Sequence, residues 1–212
     1  LLWVALPMPT MPPRPHAGER GSKLAIPTLA TLGLVAFGLG AGLTEGAARG
    51  WAIIYLRDVF DVSAFIESLA LPALLAAMAG GRLVADRFIE RFGPVRVART
   101  LAATAVTGMV LLVLAPSAGL ALAAFILVGI GICVLYPLML SAAARLGDRP
   151  ASQNVAATTL IFQLVNLGAP ALIGAVAEGL GVRMAFAMLL PLLVLTWAMA
   201  GRLAPRAAGQ GD

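Results

Sequence analysis

TLAATAVTGMVLLVLAPSAGLALAAFILVGIGICVLYPLMLSAAA, residues 100–144, runs for 45 residues without one charged side chain. As a single helix it would reach about 67 Å at 1.5 Å per residue. That is roughly twice the hydrocarbon thickness of a bilayer, so the run has to fold back on itself. Pro116, Ser117, Ala118 and Gly119 sit near its middle, and proline and glycine are the residues that interrupt helices. The stretch therefore reads as two membrane-crossing helices joined by a tight turn. Outward from it, charges divide the rest of the chain in the same way. Residues 24–44, 150–177 and 184–201 carry none, and residues 62–81 carry only Glu67. Six spans result, at about 24–50, 62–83, 97–115, 119–144, 152–177 and 183–203.

Composition agrees. Of 212 residues, 60% are hydrophobic and 12% charged, against about 25% charged in soluble domains. The mean hydropathy is +0.95. Such a chain cannot cover a soluble core, and it is far too apolar to be disordered. Cys133 is the only cysteine and His16 the only histidine, which excludes a disulfide scaffold and leaves too few soft ligands for zinc. A soluble helical bundle is disfavoured because its helices would each show a polar face. The net charge of +5 reads as basic cytoplasmic loops rather than a nucleic-acid surface.

Basic residues set the orientation. Six spans place both termini on one side, and that side collects twelve of the fifteen Lys and Arg residues; Arg49, Arg57 and Arg183 fall on the other. Both termini are thus expected in the cytoplasm. Trp51 and Tyr55 are expected in an aromatic belt at the outer interface. The opening LLWVALPMPTMPP is too short to span and has no basic residue before it, so it reads as the tail of a preceding helix rather than a signal peptide. Residues 1–23 form that tail and a basic, proline-rich linker, residues 24–203 the bundle, and residues 204–212 a cytoplasmic tail. The chain reads as part of a longer one.

Between spans two and three lies GRLVADRFIERFG, residues 81–93. Gly81 permits close backbone approach at a helix end. Arg82, Arg87 and Arg91 alternate with Asp86 and Glu90. Asp86 can pair with a nearby arginine or meet a helix N-terminus, so the loop could latch one conformation; a plain basic loop is the other reading. The pattern Gly81-x-Leu83-x-x-Asp86-Arg87, followed by Arg91, resembles the loop motif of the major facilitator superfamily. EGAARGWAIIYLRDVF (45–60), GIGICVLYPLMLSAA (129–143) and NLGAPALIGAVAEGLGVRMAF (166–186) resemble the end of helix seven, helix ten, and the join of helices eleven and twelve in sugar- and fucose-permease-like members. The resemblance implies an all-α membrane fold, the C-terminal six-helix half of a twelve-helix transporter built as a 3+3 inverted repeat. It also implies a missing N-terminal half as partner and a bacterial inner-membrane setting.

Polar groups inside a membrane are costly and mark candidate sites. Glu45 lies about 9 Å along the helix from Trp51; it could bind a solute hydroxyl or carry a proton, or simply pair with Arg49 one turn on. Gly38, Gly42 and Gly46 form a small-residue stripe for helix contact, and Gly40 adds possible flexibility. In span five Thr159, Gln163 and Asn166 share one face at i, i+4, i+7, with amides suited to a polyhydroxyl ligand. Tyr136, beside Pro137, could line the same cavity. Glu67 reads as a rim charge and Cys133 as a packing residue.

No nucleophile with a base and no phosphate-binding loop is present in the sequence, so no enzyme activity and no cofactor is expected. The expected function is secondary active transport of a small polar solute by alternating access. A sugar moved with protons is what the resemblance implies. Drug or metabolite efflux is the first alternative, and a non-transporting membrane module left by gene truncation the second.

Overall fold

The computed structural model describes residues 27–204. The linker, with Arg14, His16, Arg20 and Lys23, and the tail from residue 205, with Arg206, lie outside the described residues. Six helical rods, each long and apolar enough to cross a bilayer, run Leu29–Phe60, Ala64–Phe92, Pro94–Leu114, Ala118–Ala144, Ala151–Leu180 and Val182–Leu203. They are spans one to six below. No strand occurs among the described residues, so the all-α, six-span class expected from the sequence is the one observed.

Local chemistry sets the ends. Thr28 opens span one with a capping box: its hydroxyl accepts from Thr31 N at 3.3 Å, and its own backbone N–H donates to Thr31 Oγ1 at 2.8 Å. Gly93, at φ +82°, stops span two, and Pro94 starts span three. Ser117 caps span four by accepting from Leu120 N at 3.4 Å. The turn expected at residues 116–119 is therefore the one that forms.

Two expectations need correction. Span one runs ten residues past 50, because the polar turns around Arg49 and Arg57 still favour helix and Tyr55 between them is buried. Span two runs through Phe92, because nothing between Gly81 and Gly93 breaks it. The arginine motif is therefore helix rather than loop, and Gly81 lies within the helix, not at its end.

The rods pack as two interlocked triplets. Span one lies against spans five and six; span four lies against spans two and three; one and four touch each other, as do three and six. Exchanging the first three spans for the last three maps this neighbour pattern onto itself. Because three spans reverse chain direction, the two triplets are inverted with respect to the membrane.

Glycines make the tightest contacts possible. A Cβ built on Gly40 in span one would overlap the Leu192 carbonyl of span six, and one on Gly131 in span four would overlap the Ala105 backbone of span three. A Cβ on Gly129 would lie 2.7 Å from the Leu74 carbonyl of span two. Gly40 is thus a contact point between spans one and six. At the end opposite the arginine motif, the rings of Tyr55, Phe125 and Phe186 meet edge-on, with Tyr55–Phe186 centroids 5.2 Å apart. Tyr55 is fully buried and donates its hydroxyl to Leu112 O at 2.5 Å. It belongs to the core, not to an interfacial belt. Outside, Leu83, Leu167 and Leu114 are 86%, 81% and 70% exposed. Side chains presented this way suit hydrocarbon, not water.

Candidate functional site

Span four breaks at Cys133–Val134. The cause lies four residues on: Pro137 has no N–H to give the Cys133 carbonyl, and its ring crowds that carbonyl. The broken segment resumes at Leu135 and carries Tyr136 half-buried on the bundle surface. The Tyr136 ring meets Phe162 of span five at 4.8 Å between centroids. Phe162 fits over Gly42 of span one, where a Cβ would overlap the ring. One turn further along span five, Asn166 donates Nδ2 to Phe162 O at 3.0 Å. Its Oδ1 faces Gly46, 4.0 Å from where a Cβ would be. Spans one, four and five thus converge on one patch, built on the glycine stripe Gly42–Gly46.

Glu45 precedes Gly46 on span one. Arg49 donates Nε and Nη2 to Glu45 Oε1 at 3.0 and 2.8 Å. The carboxylate side chain is 23% exposed, so the pair contributes only about 0.3–0.5 kcal/mol to the helix. Both bonds end on Oε1, and Oε2 has no partner among the described residues.

The structure brings Tyr136 and Asn166 each to Phe162, and leaves Glu45 paired with Arg49. Gln163 is exposed and Thr159 half-buried, and neither makes a hydrogen bond among the described residues. The inward face of span five is rotated from them by about one residue. It carries Asn154 and Thr158, both fully buried, and Phe162. Asn154 Nδ2 donates to Asp148 at 2.7 Å. Thr44 Oγ1, Asn154 Oδ1 and Thr158 Oγ1 are buried without a partner among the described residues. Phe162 escaped the sequence reading, although it is the only aromatic residue of span five and a glycine opposite leaves room for a ring.

In the arginine motif, Gly81 allows Cys133 to pack close, its Sγ 2.8 Å from a built Cβ. Arg82 donates Nε to Cys133 O at 2.8 Å, the carbonyl Pro137 leaves free. Asp86 and Arg87 are exposed, and Asp86 has no ion-pair partner among the described residues. Arg91 lies over the Phe92 ring, 5.3 Å from its centroid. Arg82 thus serves the kink. Arg82→Ala should cost about 1–3 kcal/mol by stranding the carbonyl. In the Pro137→Ala background, where residue 137 regains its N–H, the same change should cost little. A double-mutant cycle of melting temperatures checks this; additive losses would show that Arg82 does not serve the kink.

No family model matches the chain. Curated relatives do. It is 35% identical over 172 residues to the uncharacterized transporter y4wD of Sinorhizobium fredii, covering 81% of this chain and 45% of that protein. It is 30% identical over 169 residues to the membrane protein MosC of Rhizobium meliloti, covering 78% and 41%. An uncharacterized MFS-type transporter of Yersinia pestis is 29% identical over 164 residues, covering 77% and 42%. The chain spans less than half the length of each of these relatives.

Proposed function

We propose that this chain is the C-terminal six-span half of a major facilitator superfamily carrier, residues 24–203 forming the bundle and both termini facing the cytoplasm. In this reading it moves a small polar solute across the membrane by alternating access. The relatives named as transporters support membrane transport. The convergence of spans one, four and five supports a solute site on this half: an aromatic platform of Tyr136 and Phe162, an amide at Asn166, and a carboxylate at Glu45 with one oxygen unclaimed. Gln163 and Thr159 extend the site toward the missing half. Amides and an aromatic face suit a sugar-like, uncharged polyhydroxyl ligand. Glu45 is the proposed proton-carrying group, as a carboxylate on span one whose Oε2 has no partner among the described residues.

Radiolabelled sugar uptake into vesicles holding the full-length protein tests this, with and without an imposed pH gradient. Gln163→Ala should raise KM about fivefold, the equivalent of one neutral hydrogen bond, and leave the melting temperature in detergent unchanged because the side chain is exposed. Uptake indifferent to the gradient would remove proton coupling. Kinetics untouched by both Gln163→Ala and Asn166→Ala would remove the site, and drug resistance without uptake would make the protein an efflux carrier.

A further inference from the structure

Spans two and three diverge near the arginine motif and leave a groove of about 570 Å³, floored by Ile130 and Cys133 of span four. Val84, Phe88 and Phe92 line it on one side, and Arg96, Thr100 and Thr104 on the other. The groove runs from the Gly93 turn toward the middle of the bundle. Along span two, from Phe92 to Gly81, that is about 16 Å; along span three, from Arg96 to Thr104, about 12 Å. One leaflet of a bilayer contributes about 15 Å of hydrocarbon, so the groove is as deep as one acyl chain is long.

The inverted repeat supplies an internal comparison. The equivalent cleft lies between spans five and six, floored by Leu43 of span one. It is less than half the size, about 250 Å³, and its lining is entirely apolar, including Leu172, Met188 and Leu192. The first groove alone has a cation at its mouth: Arg96 lines it, and Arg91 lies over the lining ring of Phe92. Phe92 in turn stacks on Phe88 at 6.1 Å. An apolar slot of leaflet depth with guanidinium groups at the water end matches one kind of occupant.

We propose that the groove between spans two and three binds an anionic phospholipid, with one acyl chain between Phe88 and Thr104 and the phosphate at Arg96, the arginine that lines it. Basic pockets between helices at the cytoplasmic face recognise such headgroups at about fivefold per arginine. The proposal rests on the bilayer setting alone and holds or fails independently of the solute or its coupling.

The test uses the full-length protein in vesicles doped with acyl-brominated phosphatidylglycerol or phosphatidylcholine. The reporter is a Phe88→Trp variant, its quenching measured relative to the parent. Brominated phosphatidylglycerol should quench about fivefold more effectively per mole than phosphatidylcholine, and adding Arg96→Gln should abolish the difference. A Leu172→Trp reporter in the symmetry-related cleft should be quenched equally by both lipids. Equal quenching at position 88, or a preference that survives Arg96→Gln, would overturn the proposal. So would the absence of quenching by either lipid, which would mean that protein covers the groove.

Discussion

Gly131→Ala is expected to destroy the folded bundle. A methyl group there would overlap Ala105 N and lie 2.6 Å from its Cα and 2.7 Å from its Cβ. Those are backbone and Cβ atoms of span three, which cannot swing aside as a long side chain could. Spans three and four would have to separate along their length, undoing contacts such as Gly108 against Val128. Overpacking penalties reach about 3 kcal/mol and more where nothing yields, a large share of a stability of about 5–15 kcal/mol. Gly40→Ala meets a backbone carbonyl, that of Leu192, and should behave alike. Gly38→Ala is the contrast: the obstructing atom is Met139 Sδ, at the end of a flexible thioether, and the loss should stay below about 1 kcal/mol. Size-exclusion profiles of detergent extracts would separate the two classes. Monodisperse Gly131→Ala protein with a parental melting temperature would contradict the packing described above.

Arg183→Ala should cost about 3 kcal/mol, or roughly 6–12 °C of melting temperature. Span three ends at Leu114, and the carbonyls of its last turn have no helical donors. Arg183 donates Nη1 to Val113 O at 2.7 Å and Nη2 to Ala115 O at 3.0 Å. Its guanidinium also lies 5.6 Å from the Phe60 ring centroid. Charge-assisted bonds contribute about 1.5–3 kcal/mol each when shielded, discounted here because Arg183 is only half-buried. A cation is also favourable at a helix C-terminus. Arg183→Lys should recover less than half, because an ammonium cannot reach two carbonyls with the geometry of a fork. Melting curves of the three proteins give the comparison, and a loss of under 1 kcal/mol for Arg183→Ala would show that the carbonyls are served by other donors.

Legibility in the sequence followed the range of the physics. The span count, the turn at Pro116–Gly119 and the glycine stripe depend on local composition and spacing, and all three could be read directly. Span ends were less legible. Charge-free length measures hydrocarbon, while a helix such as Leu29–Phe60 continues until its caps. The rotation of span five was not legible either. A spacing of i, i+4, i+7 marks a shared face without saying which way it points, so Asn154, Thr158 and Phe162 were displaced by the neighbouring set. Tyr55 and Arg183 find partners on span three, 57 and 70 residues away, and no pattern within one helix carries that information. The kink of span four was half-legible: Pro137 names the orphaned carbonyl by its offset of four, but only the fold brings Arg82 to it.

The glycine contacts have a mechanical consequence. Where one backbone rests directly on another, no layer of side chains remains to slide. Span one is seated this way on span six, and span four on spans two and three, so the bundle resists shear at these seams. The Cys133–Val134 break does not loosen it, because Arg82 holds the freed carbonyl and Leu135 and Met139 bury themselves beyond it.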